Sequence, residues 1–481
     1  MAGMVVGVAL APHFRAFEFG TLLVVGVTMI AVARSKSLLT LVLVIAAGVG
    51  LGLWRGNVYE AKRMEYQTLY GKQLSLIVRA STDASYNDYQ QLGFDAADVT
   101  TLSGQQLTGK IQATGFGENA IFQGDELLLE GKLKSTLGAA QARMPYAQVT
   151  LIEHHPSYVG AFRRKFVAGV QTALPEPLNS FALGLLTGQR STLPADIKQT
   201  LLMVGLTHII AVSGYNMTIM LRASKRLLGS WSKRLSLGLS FCLIVLFLLI
   251  TGMSASIVRA AIVSGLSLLA AYYGREFKPL LLILFAAAIT AMVNPFFIWT
   301  DAGWYLSFLA FGGVMIISPL LAERLPPRLE QSTVVAIALE SICAEISTLP
   351  YLLHTFGQMT VIGLVANVLI VAFIPFAMLA GLLAGLAGML MSALSGWFSW
   401  PAVLLLTYML DTAELLSKIP HIFHQNVYLS TRTMWQIYAV ITAWVVFMSF
   451  KARQKAGTIT DKNYSQLSPS SSARAERIRI L

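Results

Sequence analysis

Charge is scarce in this chain. Only 12% of its 481 residues are Asp, Glu, Lys or Arg, 55% are hydrophobic, and the mean hydropathy is +0.63. Soluble globular domains carry about 25% charged residues. An ordinary water-solvated fold is therefore excluded, and lipid or neighbouring helices must solvate most of the chain. Cysteine is nearly absent too. Cys242 and Cys343 lie in long apolar runs with no CxxC, which excludes a disulfide framework or a thiolate zinc site and leaves them as small apolar filler. HExxH and HxHxDH are missing, and the seven histidines are scattered, so no metal and no cofactor is expected. No GxxxxGK[ST] loop is present to power transport by ATP hydrolysis. No GxSxG elbow occurs, and Ser213 and His208, five apart on one helix, point in different directions. The chain is expected not to be an enzyme.

The net charge of +12 is concentrated beside apolar runs. Residues 222–234 hold five Lys/Arg and no acid, and the tail 451–481 holds seven Lys/Arg against two acids. The positive-inside rule produces this pattern without nucleic acid. A spanning helix needs about 20 predominantly apolar residues. Candidates lie near 20–33, 38–54, 201–221, 236–251, 255–273, 279–299, 303–322, 333–353, 359–391, 397–417 and 434–450, about eleven in all. Residues 1–11 add a further apolar stretch that suits a partial or re-entrant segment. Lys and Arg mark alternate loops, which places those loops and the C-terminus in the cytoplasm. It also makes 359–391 one long crossing, broken near Pro375.

The same alternation puts 55–200 outside. Segments 73–80 (QLSLIVRA), 107–114 (LTGKIQAT), 120–134 (AIFQGDELLLEGKLK) and 147–153 (AQVTLIE) alternate apolar and polar residues between turn signals. Four or five such strands fit a small barrel of the OB type, although periodicity alone does not choose among small β folds. Nine Lys/Arg against eleven Asp/Glu over 55–160 give no basic groove for a nucleic-acid strand. The fold expected is mainly α, a polytopic inner-membrane protein with an inserted external OB-like barrel. Its parts are N-terminal helices 1–54, barrel 55–157, amphipathic surface helices 158–200, membrane domain 201–450 and a basic cytoplasmic tail 451–481 that reads as disordered or as a docking segment.

Polar residues inside apolar runs are costly and so mark cavities or packing contacts. The densest cluster is GLTHIIAVSGYN, with His208, Ser213, Gly214 and Asn216. It serves equally well as helix–helix glue or as a water-facing break in a helix. Arg259 lies inside its helix, and Glu345 lies near the middle of 333–353; Arg259–Glu345 is one pairing the sequence allows. Asp301, between Trp299 and Trp304, reads as an interfacial residue. Arg163, Arg164, Lys165 and Lys198, with Arg190 beside Ser191, read as a cationic collar at a channel mouth.

The stretch LTGQRSTLPADIKQTLLMVGLTHIIAVSGYNMTIM (186–220) resembles the ComEC competence family. So do SIVRAAIV around Arg259, YYGREFKPL around Arg275, NPFFIWTDAGWYLSFLAFGGV (294–314) and ISTLPYLLHTFGQMTVIGLVANVLIVAFIPFAM (346–378). Gly188, Arg190, Ser191, Gly205, His208, Ser213, Gly214 and Arg259 match its patterned positions, while Tyr215-Asn216 replaces the Leu-His pair common there. The resemblance implies a channel for single-stranded DNA entering the cytoplasm during natural transformation. It implies partners as well: an external DNA-binding protein and a cytoplasmic DNA-translocating motor. Many members carry a metallo-β-lactamase-like domain where this chain has its tail, so strand degradation is expected of a separate nuclease. A secondary transporter for a small anionic solute is the alternative, served by the same broken helices, Arg259 and Glu345.

Overall fold

The computed structural model describes residues 1–13, 38–86, 91–117, 121–136, 140–155, 158–188, 193–210, 232–251, 255–274, 279–326, 333–391 and 395–465. The molecule is mostly helical with one small barrel, and it divides into two units, Met1–Phe308 with Thr360–Phe423, and Leu309–Met359 with His424–Leu481.

In the first unit, helix α1 (Ala2–Leu10) lies along α2 (Leu38–Gln67). Gly3 and Gly7 face the backbone of α2 at Ile45 and Val49, and Gly48 and Gly52 face the backbone of α1. This is the small-xxx-small spacing that lets helices touch without side chains between them. The apolar stretch at residues 1–11 is thus a short helix held against a longer one.

The barrel follows. Its five strands are β1 (Gln73–Ala80), β2 (Leu92–Thr101), β3 (Ile111–Gly117), β4 (Glu126–Lys132) and β5 (Ala142–Glu153). The ring order is β1-β2-β3-β5-β4, closed by the β4–β1 ladder; all pairs are antiparallel except β3–β5. This is the five-stranded OB plan, and closure removes the free sheet edges. Alternate residues point inward, among them Leu76, Val78, Leu127, Leu129 and Met144. Tyr66, from the end of α2, is fully buried in the same core and ties the barrel to the helix that carries it.

After the barrel come α3 (Tyr158–Ala173), α4 (Leu178–Thr187), α5 (Ala195–Met203) and α6 (Thr207–Ile210). At α4 the structure departs from the expected surface helices. Every residue of α4 is buried, because FALGLL is apolar all round and leaves no face for water. Helix α3 is pressed against α15 (Ile374–Leu390), where Gly169 lies on the backbone at Gly385 and Met389, and Gly388 on that of Gly169. Helices α7 (Lys233–Thr251), α8 (Ala255–Tyr272), α9 (Pro279–Val293), α10 (Phe296–Thr300) and α11 (Ala302–Gly312) come next in the chain. Beyond α11 the chain forms a π turn (Gly313–Ile317), α12 (Ser318–Ala322), α13 (Thr333–Phe356), α14 (Gly363–Ile370), α16 (Ser395–Ser417) and α17 (Thr431–Ser465). In the second unit α13 receives the Tyr438 hydroxyl of α17 on the Ser347 carbonyl at 3.0 Å.

Among the described residues, three helices are long and apolar enough to cross a membrane: Ala302–Ala322, Gly363–Leu390 and Thr431–Lys451. That is fewer than the eleven expected. Run 20–33 and most of 201–221 lie outside the described residues. Arg234–Ile250, Ile257–Ala270 and Leu280–Val293 form apolar helices, but shorter ones. The helix over 397–417 is long, but its Ser, Trp, Pro401 and Asp411 dilute its hydropathy. The break near Pro375 is real: a 3-10 turn at Val371–Phe373 separates α14 from α15, whose first turn holds the proline.

Two outcomes follow from this packing. Gly388→Leu drives side-chain atoms into the α3 backbone and lowers stability in detergent by about 1–3 kcal/mol. Gly238→Ala, in open space on α7, leaves the thermal midpoint unchanged or raises it. Asp95 in β2 is held above the usual carboxylate range by burial, opposed by Lys110. Its raised value means that it favours the fold when protonated, and that contribution fades as pH rises through the folded value. Asp95→Asn therefore keeps or raises the neutral-pH melting temperature and removes part of the gain on mild acidification.

Candidate functional site

Arg259 sits on the fifth residue of α8 and is only 4% exposed. Its Nη2 donates to the Gly303 carbonyl at 3.2 Å, and its Nη1 lies 4.0 Å from Asp301 Oδ2. The guanidinium stands 5.9 Å from the centre of the Phe308 ring. Asp301 is therefore its acidic partner, where the sequence suggested Glu345. Asp301 also starts α11: its Oδ1 accepts the Gly303 N–H at 2.9 Å, the usual work of an N-cap carboxylate. Its interfacial reading missed this pairing. The WTDAG pattern carried the cap signal, but no local pattern ties a cap to an arginine three helices earlier.

Around this pair is an aromatic wall. Trp304 packs against Tyr305 and Phe308, with ring centres 5.2 and 4.7 Å apart, and its Nε1 donates to Thr290 Oγ1 at 3.1 Å. The Tyr305 hydroxyl donates to the Ile298 carbonyl at 2.7 Å. The wall satisfies its own polar atoms and offers Arg259 only a ring face. Arg259 Nε and Nη1 have no hydrogen-bond partner among the described residues. Ser240 Oγ on α7, Ser264 Oγ on α8 and Asn367 Oδ1 on α14 are likewise buried without one. A buried donor left unpaired costs about 1–3 kcal/mol, more when charged. One spent and two unspent guanidinium nitrogens, facing a carboxylate that barely reaches them, make a site where a further anionic oxygen gains.

The other expected residues fall in several places. Arg190, Ser191, Ser213, Gly214 and Asn216 lie outside the described residues. His208 is exposed on α6, and its Nδ1 lies 3.0 Å from the Gly205 carbonyl. Gly205 is left-handed (φ 77°) and ends α5 in a Schellman turn, with the Leu206 N–H on the Leu201 carbonyl at 2.7 Å. A Cβ there would strike Thr360, whose hydroxyl caps the Met203 carbonyl at 2.8 Å. In GLTH, the glycine and histidine thus work first as a turn. Glu345 is half-buried on α13 in the second unit.

The collar is not four free cations. Arg164 Nη1 lies 3.8 Å from Asp83 Oδ1, and its guanidinium is 4.0 Å over the Phe122 ring, so it binds α3 to the barrel. Burial pushes Arg163 down from the ordinary guanidinium value, opposed by Asp83. Lys165 is exposed, and Lys198 is half-buried on α5. A cleft of about 680 Å³ on the barrel is lined by Arg79, Asp98, Lys110 and Glu126, with Tyr59 of α2 and Asn294. Its signs are mixed, as the composition of the barrel predicted. Arg55 and Tyr59 of α2 donate to the carbonyls of Met292 (2.7 Å) and Val293 (2.8 Å) at the C-terminus of α9.

The model of the Competence protein family matches residues 185–454. The chain is 26% identical over 245 residues to ComE operon protein 3 of Bacillus subtilis (strain 168), covering 50% of this chain and 30% of that protein. It is 23% identical over 365 residues to the uncharacterized protein YcaI of Escherichia coli (strain K12), covering 69% of this chain and 47% of that protein. The matched parts thus span less than half of these relatives' lengths. No solved structure matches.

Asp301→Ala removes the α11 cap and the carboxylate that pairs with Arg259, and is expected to cost about 1–2 kcal/mol of stability. Asp301→Asn keeps an acceptor for Gly303 and costs less. Denaturation of the detergent-purified variants separates the two.

Proposed function

The chain belongs to the Competence protein family, and from that premise we propose that it is a channel passing single-stranded DNA across the inner membrane into the cytoplasm during natural transformation. The observation that carries the reading inside the molecule is Arg259, a buried guanidinium whose Nε and Nη1 are unspent among the described residues, in a helical bundle otherwise poor in charge. A polyanion crossing hydrocarbon needs a polar path with cationic stations. Arg259 is such a station, and the orphaned hydroxyls of Ser240 and Ser264 supply neutral polar surface. The 205–216 segment, with Ser213, Gly214 and Asn216, and Glu345 are the further channel candidates.

In this reading the barrel is external and the C-terminus cytoplasmic, with more crossings than the three long spans. The chain acts without chemistry of its own. An external DNA-binding protein delivers the strand, a separate nuclease removes its complement, and a cytoplasmic motor supplies the pull. The barrel's mixed-sign cleft does not favour it as the main strand-holding surface.

Uptake of end-labelled DNA tests this, with cytoplasmic entry scored apart from surface binding. Deletion of the gene is expected to leave binding intact and abolish entry. Arg259→Glu, with insertion verified, is expected to cut entry at least about tenfold, and Arg259→Lys to retain part of it. Normal entry in the deletion strain overturns the channel, and the small-anion transporter then takes its place.

A further inference from the structure

We infer that the barrel carries a binding site for a divalent transition-type cation of the zinc class, built from Glu126, Glu153 and His155. One carboxylate oxygen of each glutamate and one ring nitrogen of His155 all lie within 4.8 Å of one another. Among the described residues this is the one place where three such donors converge. Glu126 opens β4 and Glu153 closes β5, and the two are register partners across the antiparallel ladder. Like charges directly opposite each other on a sheet repel. The nearest guanidinium on the neighbouring strand, Arg79, lies opposite Glu126 but reaches Asp98 at 3.5 Å.

His155 stands at ion-pair distance from both carboxylates without hydrogen-bonding either. Its Nε2 is 3.9 Å from Glu126 Oε2 and 3.8 Å from Glu153 Oε2, too far for hydrogen bonds. Those separations suit a shared ion. Tetrahedral zinc holds carboxylate oxygen and imidazole nitrogen at about 2.0–2.2 Å, which sets its ligand atoms about 3.3–3.6 Å apart, so each of these two pairs has to close by a few tenths of an ångström. The remaining pair closes by rotation of Glu153, whose side chain is 65% exposed.

The frame beneath is rigid. Asp125 is 1% exposed; its Oδ2 accepts from the Phe122 N–H at 2.8 Å and pairs with His154 Nδ1 at 2.9 Å, and its Oδ1 accepts the His155 N–H at 3.2 Å. The backbone that presents His155 is thus pinned by a buried carboxylate, the kind of support a preorganised site needs. The donor set selects the ion. An imidazole nitrogen disfavours Ca²⁺ and Mg²⁺, which take oxygen, and suits zinc and its neighbours. Three protein ligands leave a position for water. The bound ion would neutralise the opposed glutamates and tie the start of β4 to the end of β5, where the chain leaves the barrel for α3. None of this depends on what the helices transport.

The full-length protein, purified in detergent and stripped with chelator, is titrated with Zn²⁺ by calorimetry, and with Co²⁺ by its visible absorption. One ion per chain at micromolar affinity or tighter is expected, with a rise in melting temperature. Glu153→Gln and His155→Ala should each weaken binding at least about tenfold, the effect usual for disturbing a metal shell, and should leave the ion-free far-ultraviolet circular dichroism unchanged. The exposure of Glu153 makes its variant safe for folding. Absence of saturable binding in the natural protein overturns the site, as does binding that survives both substitutions.

Discussion

Helices whose solvent is hydrocarbon gain nothing by turning leucines toward one another, so contact between backbones has to hold them. Two such contacts organise the first unit. At one, Gly3 and Gly7 of α1 meet Gly48 and Gly52 of α2; at the other, Gly169 of α3 meets Gly388 of α15. The first crossing places α2, whose far end inserts Tyr66 into the barrel core. The second places α3, whose Arg164 grips Asp83 and Phe122 on the same barrel. The small domain is thus attached to two helices that are themselves fixed by glycine.

Much of this was legible in the sequence. Alternation over 73–80 and 147–153 marked strands, and the pairing of β3 with β5 turned a set of strands into a closed ring. Pro375 marked a helix break that the structure contains. Within 158–200, read as amphipathic surface helices from its basic RRK run, Arg164 is spent on the barrel and α4 is buried on all sides. Periodicity reports how much of a helix is apolar and says nothing of whether lipid or protein covers it.

The sites were harder to read for a related reason. A short motif is visible when its ligands share one element. Asp301 and Arg259 come from different helices, and Glu126 and His155 from two chain segments that meet at one end of a ladder, so topology alone brings them together. His208 shows the converse. It stood out as a polar residue in an apolar run, yet its ring nitrogen meets the carbonyl of the Gly205 turn. Conspicuous residues were partly architectural, and an inconspicuous aspartate completed the charged pair.

Arg259 also bears on how a conduit works. A purely structural ion pair is often replaceable by apolar packing without loss of stability, so a buried arginine is a poor way to fix helices. This one is poor in a specific manner, because Asp301 is 4.0 Å away and Nε bonds nothing among the described residues. Conduction demands attraction strong enough to admit an ion and weak enough to release it. A guanidinium with a partial counter-charge meets both demands under the proposed reading: the unspent donors attract a phosphate oxygen, and the nearby carboxylate limits how tightly it is held. Full pairing with Asp301 would close the station, and removal of Asp301 would deepen it into a trap.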